Sequence, residues 1–217
     1  MLEGADARIA EELVAKYDIK VAHRAAYSGR EGEFTLLEVP PITYLAIDGE
    51  GDPNTAPAYA EAVTALFSLA YAIKFASKAA GQDFVVAPLE GLWRSDDLGA
   101  FRRREKDAWR WTMLVAQPER VDAAAVDAAR EAVRRKKGTP RLDDVRLQTI
   151  EEGLAVQVLH VGPYDAETAT LARLHDEFLP AHDLLPSADH HEVYLSDPQR
   201  TAPEKLKTLL RQPVMRA

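Results

Sequence analysis

The sequence contains no cysteine, which excludes disulfides, thiolate nucleophiles and cysteine-ligated zinc together. It also lacks any run of about 18 uncharged apolar residues, the least a membrane-spanning helix needs, so no membrane partner is expected. Positive charge is in deficit: 27 Lys and Arg stand against 35 Asp and Glu, a net charge of −8. A phosphate backbone would be repelled on average, so nucleic acid is not expected as a partner. The opening Met1-Leu2-Glu3-Gly4-Ala5-Asp6 has neither the basic stretch nor the apolar run of a signal peptide, and a cytoplasmic location is expected. No His-Glu-x-x-His pattern occurs, and Gly49-Glu50-Gly51 lacks the further spacing of a dinucleotide or phosphate loop. His190 and His191 are neighbours that a strand would point to opposite faces, and a proline-containing stretch separates His175 from His182. Neither a metal nor a cofactor is expected.

What is present suits a folded chain: 217 residues, 47% of them hydrophobic, enough for a substantial core. Ile9, Leu13, Val14 and Tyr17 fall at helical spacing from about Asp6 to Tyr17, and Ser28 to Gly32 is a glycine-containing linker. Phe34 to Asp48 suits a strand interrupted by Pro40-Pro41, which fits an edge, bulge or kink. A long helix is predicted from about Pro57 to Lys78, with Tyr59, Val63, Leu66, Phe67, Ala70 and Tyr71 on its buried face, and Gly81 ends it. Strand-like segments follow at Phe84 to Arg94 and Ala108 to Ala116, separated by the charged segment Ser95 to Asp107. A helix is predicted at Val121 to Lys136. After Gly138-Thr139-Pro140 come strands at Val145 to Ile150 and Leu154 to Val161, a helix at Asp165 to Leu179 and a strand at His190 to Leu195. A short helix at Pro203 to Leu210, with proline in its first turn, and a last strand around Val214 complete the reading.

The two halves parallel each other. Val39 to Ile47, followed by glycines and a helix, matches Ile150 to Val158, followed by glycine and a helix. Each half reads strand, helix, strand, strand, after an opening that breaks on a proline or glycine turn. The expected organisation is an N-terminal helix and linker (1–30), a first half (31–140) and a second half (141–217), with 31–217 forming one compact α+β domain. Two such halves would pair their sheets and leave a cleft between them, a common place for small-molecule sites.

Two segments put a carboxylate into a strand beside aromatic residues, at equivalent places in the two halves. One is Pro88-Leu89-Glu90-Gly91-Leu92-Trp93, followed by Trp109-Arg110-Trp111; the other is His190-His191-Glu192-Val193-Tyr194-Leu195. Alternation places Glu192 and Tyr194 on one face and His191 and Val193 on the other. A carboxylate facing inward among rings is poorly solvated, which raises its pKa and makes it a better base. The alternatives are that Glu192 or Glu90 ends exposed or pairs with a basic side chain. Tryptophans are ordinarily core; here the repeat puts a concave face at the same place, and Trp111 is the first choice for a ligand wall. Tyr71 and Lys74 lie one turn apart on the long helix, where Tyr71 either packs in the core or donates to a ligand carbonyl. The runs Arg102 to Arg104 and Arg134 to Lys137 read as solvated surface.

The string Tyr44 to Asn54, then Pro88 to Trp93, Trp109-Arg110-Trp111, and finally Glu192 to Pro198 with Thr201 to Thr208, resembles the GyrI-like small-molecule-binding proteins, over about Phe34 to Val214. The resemblance implies two strand-helix-strand-strand modules related by a pseudo-twofold axis, with a pocket around a central acidic residue whose matching position is Glu192. Relatives include effector-binding domains of multidrug-sensing regulators and gyrase inhibitors. The chain carries no recognisable helix-turn-helix, so a complete regulator is not expected.

The stand-alone branch it most resembles includes hydrolases of cyclopropane-bearing DNA alkylators of the yatakemycin and duocarmycin type, which need no metal or cofactor. That resemblance implies a flat apolar aromatic substrate stacked by Trp111, Trp93, Trp109 and Tyr164, with Glu90 and Lys74 as further binding groups. Glu192 would act as the base, and Tyr71 or Tyr194 would polarise the substrate oxygen. A non-catalytic drug sink or sensor and a topoisomerase-inhibitor-like interaction protein are the competing readings. The oligomeric state is not legible.

Overall fold

The computed structural model describes residues 16–94, 105–136 and 138–217. The helix expected from about Asp6 to Tyr17, apart from its last two residues, and most of the segment Ser95 to Asp107 lie outside these. The described chain begins with a bridge between Tyr17 and Phe84 and a short helix α1 (Ile19–Ala22), whose N-terminus is capped by the Asp18 side chain.

Pro40-Pro41 divides the expected first strand in two, β1 (Thr35–Val39) and β2 (Ile42–Glu50). There follow α2 (Pro57–Ala79), β3 (Leu89–Arg94), β4 (Arg110–Ala116) and α3 (Ala123–Lys136). The second half contributes β5 (Arg146–Ile150), β6 (Gly153–Val161) and α4 (Glu167–Ala172). The α4 helix runs on into a π-helical turn, Arg173–Phe178, and a final turn α5 (Leu179–Ala181). Strands β7 (Leu184–Pro186), β8 (His190–Tyr194) and β9 (Lys207–Arg216) close the chain.

The strands form a nine-stranded sheet in the order β1-β6-β9-β8-β3-β4-β2-β5, with β7 added to β9. Every pairing is antiparallel. The order reads the same from the other end when β1, β2, β3 and β4 are exchanged for β5, β6, β8 and β9. The halves also trade their opening strands: β1 pairs with β6, and β5 pairs with β2. The breaks make this trade feasible. Proline lacks the ladder N–H, and Gly153 takes φ 63°, a conformation open to glycine at little cost.

Two expectations about individual elements change. Pro203 to Leu210 is not a helix: a 3-10 turn at Pro203–Lys205 gives way to β9. Leu209 and Leu210 are buried between β6 and β8, and a short apolar run buried on both faces shows no period that separates helix from strand.

The long helix exists, but its buried stripe is Ala62, Ala65, Leu66, Leu69, Ala70 and Ile73, and the helix packs on β2, β4 and α3. Tyr59, Val63, Phe67 and Tyr71 instead line a cavity. The helix is apolar on two faces, and alanine lets the narrower face approach the sheet. By length and composition α2, alone among the described helices, could cross a bilayer; here one face is taken by the sheet and another by the cavity.

Gly49 and Trp111 are register partners on β2 and β4. A Cβ on Gly49 would meet the Trp111 ring at 2.0 Å, so the indole lies directly over the glycine. Gly49→Ala is therefore expected to displace Trp111 and lower stability by about 1–3 kcal/mol. Thermal unfolding should show a fall of about 2–4 °C per kcal/mol, with loss of the near-ultraviolet tryptophan signal.

Candidate functional site

Strands β3 and β8 meet at the middle of the sheet, with Gly91 opposite Glu192 and Trp93 opposite His190. One face of this seam, through Leu89, Trp93, His190, Glu192 and Tyr194, borders a cavity of about 1390 Å³. Helix α2 contributes Tyr59, Val63, Phe67 and Tyr71 to its wall. The helical segment of the second half contributes Tyr164, Glu167 and Leu171, and then His175 and Asp176 from the π-helical turn. Gly91 leaves room beside the carboxylate, since a Cβ there would meet Trp93 Nε1 at 2.9 Å.

A directed chain of hydrogen bonds ends on Glu192. Trp93 Nε1 donates to Tyr194 Oη at 3.0 Å, and Tyr194 Oη donates to Glu192 Oε2 at 2.8 Å. The other carboxylate oxygen, Oε1, lies 3.5 Å from His190 Nε2. Rings pack around this chain: Tyr59 lies over Trp93 at 6.5 Å and edge-on to Trp111 at 5.3 Å. Trp109 meets Trp93 edge-on at 5.6 Å, as Tyr164 meets Tyr194 at 5.7 Å.

All three tyrosines keep their protons at neutral pH. Burial, then the Glu192 charge, pushes Tyr194 well above its ordinary value. The same causes raise Tyr59. Burial with Glu167 and Glu192 pushes Tyr164 up to about 12. The site thus holds a carboxylate that can accept a proton and phenols that can donate hydrogen bonds. Among the described residues no group of three or more His, Asp or Glu is placed to hold a metal.

The structure gathers Glu192, Tyr194, Trp93, Trp109, Tyr164 and Tyr71 on the cavity wall. Tyr71 is 47% exposed and stacks between Phe67 and Phe75 along α2. Trp111, expected first as a ligand wall, lies off the cavity: it is 0% exposed, held between Gly49 and Tyr59. Lys74 pairs with Asp83 at 2.5 Å and donates to the Phe84 carbonyl, away from the cavity. Glu90 lies on the opposite face of the sheet, because alternation along β3 sends Trp93 one way and Glu90 the other.

Sequence reasoning missed Tyr59, assigned to the core stripe, and Glu167, a buried carboxylate on the cavity wall. It also passed over His190. The alternation that paired Glu192 with Tyr194 puts His190 on the same face.

A family model described as the GyrI-like small molecule binding domain matches residues 32–215. The chain belongs to the GyrI-like family. An uncharacterized conserved protein from Listeria innocua is 37% identical with a TM-score of 0.84, the match covering 92% of this chain and 100% of that one. A hydrolase from Listeria innocua, also 37% identical, has a TM-score of 0.81 and the same coverage. The C-terminal domain of EcmrR shares the fold at 14% identity and a TM-score of 0.54, covering 85% of this chain and 98% of that domain. No functionally curated protein matches the chain.

Behind its cavity this GyrI-like domain buries a second polar cluster. Glu90, His191 and Arg211 are each 0% exposed. His191 Nδ1 donates to Glu152 at 2.7 Å, and its Nε2 makes an ion-pair contact with Glu90 at 3.0 Å. Arg211 donates to Glu152 at 2.7 Å and to Gln157 at 2.8 Å. The segment before β1 seals the cluster: Tyr27 Oη donates to Glu90 at 2.6 Å, Arg211 donates to the Ala26 carbonyl, and Gln157 donates to the Ser28 carbonyl at 2.8 Å.

Burial disfavours the charge on His191, but the Glu152 and Glu90 carboxylates outweigh it and lift its pKa to about 9. Burial would raise Glu152, but His191 and Arg211 outweigh it and hold Glu152 at about 2. The raised histidine stabilises the fold fully below its ordinary 6.5, a contribution lost as pH climbs through about 9. The depressed glutamate stabilises it above its ordinary 4.5, a contribution lost as pH falls towards about 2. Thermal stability should therefore be greatest between those ordinary values and decline on both sides. His191→Gln should flatten the alkaline limb, and Glu152→Gln, which strands two cations, should cost about 3–5 kcal/mol in denaturant titration.

Proposed function

We propose that this protein is a cytoplasmic hydrolase that opens the cyclopropane ring of spirocyclopropyl-dienone DNA-alkylating natural products by adding water, giving detoxification or self-resistance. The observation that carries this reading is Glu192: a carboxylate on the wall of an aromatic cavity, one oxygen held by Tyr194 at 2.8 Å. Relatives of 37% identity named as hydrolases support it.

In the proposed reaction the flat substrate stacks against Trp93, Trp109 and Tyr164. A water oxygen bonds to a cyclopropane carbon while its proton passes to Glu192. The ring carbon–carbon bond breaks, and its electron pair moves through the dienone to oxygen, leaving an aromatic phenolate. That oxygen needs a donor as its charge grows. Tyr194 already donates to Glu192, so it orients the base. Tyr59 and Tyr164, whose hydroxyls make no hydrogen bond among the described residues, are the donors on this reading, with Tyr71 at the exposed end of the wall.

A second reading, a non-catalytic drug sink or sensor, is favoured by size. The cavity of about 1390 Å³ exceeds the roughly 300–1,000 Å³ of most ligand pockets, and room to spare suits promiscuous binding. Incubation with a spirocyclopropyl-dienone alkylator, followed by absorbance and product mass, separates the two. The hydrolase should give a water-added product. Glu192→Gln should keep binding while turnover falls about 10²–10⁴-fold; turnover like that of the unmodified protein removes Glu192 as base. Compound that binds but is recovered unchanged from the unmodified protein overturns the hydrolase reading in favour of the sink.

A further inference from the structure

His190 begins β8 on the cavity wall, with its side chain 13% exposed. Both of its ring nitrogens are buried and, among the described residues, neither has a hydrogen-bond partner. Buried polar groups are almost always paired, so an orphaned imidazole asks for a reason. Its nearest charged group is Glu192, whose Oε1 lies 3.5 Å from His190 Nε2. A small rotation of either side chain brings the two within hydrogen-bond range, about 2.7–3.2 Å.

The groups beside Glu192 differ in what they can do with a proton. Tyr194 has given its proton to a hydrogen bond with Oε2 and is held protonated by burial and by that charge, so it takes none. Trp93, opposite His190 in register, is a donor only. Asp189, next in sequence, is paired with Arg94 at 3.5 Å. A neutral imidazole carries a lone pair on one of its two nitrogens, and its Nε2 lies 3.5 Å from the carboxylate oxygen that Tyr194 leaves unused.

We propose that His190 is the positioning residue of Glu192 and the acceptor that clears its proton. This rests on the hydrolase reading. Glu192 takes a proton from the attacking water and passes it from Oε1 to His190 Nε2, restoring the carboxylate. His190 then returns the proton to the phenolate product or to solvent. The sum is substrate plus water giving the ring-opened phenol. Once it holds the proton, the His190 ring donates Nε2–H to Oε1 and fixes the restored carboxylate from the side opposite Tyr194.

The test is steady-state ring opening by the full-length protein carrying His190→Ala or His190→Gln, with and without added imidazole. Near-ultraviolet dichroism and quenching of tryptophan fluorescence by the alkylator check fold and binding. In His190→Ala, kcat is expected to fall about 10²-fold with KM little changed, and free imidazole entering the vacated space should restore much of the loss. His190→Gln can orient Glu192 but cannot accept a proton; its kcat should stay low and unrescued. A purely structural role would not respond to imidazole. Near-normal kcat in either variant overturns the proposal, as does a loss in folded, ligand-binding His190→Ala that imidazole leaves untouched. Should His190→Ala not fold, His190→Gln decides by its kcat alone. Failure of the unmodified protein to add water overturns the hydrolase reading itself, and that arm is read separately.

Discussion

The two-residue period of β8 is the constraint around which the rest of the molecule is arranged. Five consecutive residues, His190 to Tyr194, serve two faces with opposite requirements. Three of them, His190, Glu192 and Tyr194, border a cavity that has to receive a ligand. The two between them, His191 and Val193, are 0% exposed behind the sheet. A slip of one residue in the β3–β8 register would put the imidazole of His191 in the cavity and the Glu192 carboxylate behind the sheet beside Glu90. The register has to be held firmly, and apolar packing by itself is tolerant of small slides.

The buried ionic cluster supplies that firmness. Glu90 on β3, His191 on β8 and Arg211 on β9 come from adjacent strands, and Glu152 precedes β6. A slip would separate charges that have no water to fall back on, and buried charges without partners are among the most costly defects a fold can carry. Such a cluster adds little net stability over well-packed apolar residues, but it penalises the wrong register heavily. The segment from Ala25 to Ser28 completes it. That segment precedes the matched residues 32–215, so a region outside the family model closes a polar cluster behind the candidate site.

Much of this was legible in the sequence. The internal repeat, the positions of β4, β6 and α3, and the pairing of Glu192 with Tyr194 on one face follow from period and punctuation alone. What was not legible has a common physical cause, a residue or element apolar on more than one side. Helix α2 carries Ala62, Ala65 and Leu69 on one face and Tyr59, Phe67 and Tyr71 on another, and periodicity favours the bulkier stripe as core. The smaller one is the one buried, where the helix meets the sheet and α3, because alanine lets it approach closely. Trp109 and Trp111 are equivalent by alternation. They are separated only by Gly49, whose missing side chain makes a slot that draws Trp111 inward. Glu90 and Glu192 look alike in sequence, and a displacement of one position between paired strands, Gly91 rather than Glu90 opposite Glu192, sends them to opposite faces.

The same geometry divides labour among the tyrosines in a way that residue type does not reveal. Tyr194 is nearest the carboxylate, and for that reason it is spent: it receives from Trp93 and gives to Glu192. A phenol in that position orients the carboxylate, and it has no proton left to offer a ligand. Tyr59 and Tyr164 stand further back on the two helical walls, close enough for the Glu192 charge to raise both yet not bonded to it. An acceptor arriving between those walls would meet donors whose protons are secure and whose hydroxyls are uncommitted among the described residues. On the proposed hydrolase reading, a flat substrate with an oxygen at its edge would satisfy both conditions at once, its faces against the indoles and its oxygen towards the phenols. Size alone would make this cavity indiscriminate; the placement of Glu192 and of the two uncommitted hydroxyls gives it a direction.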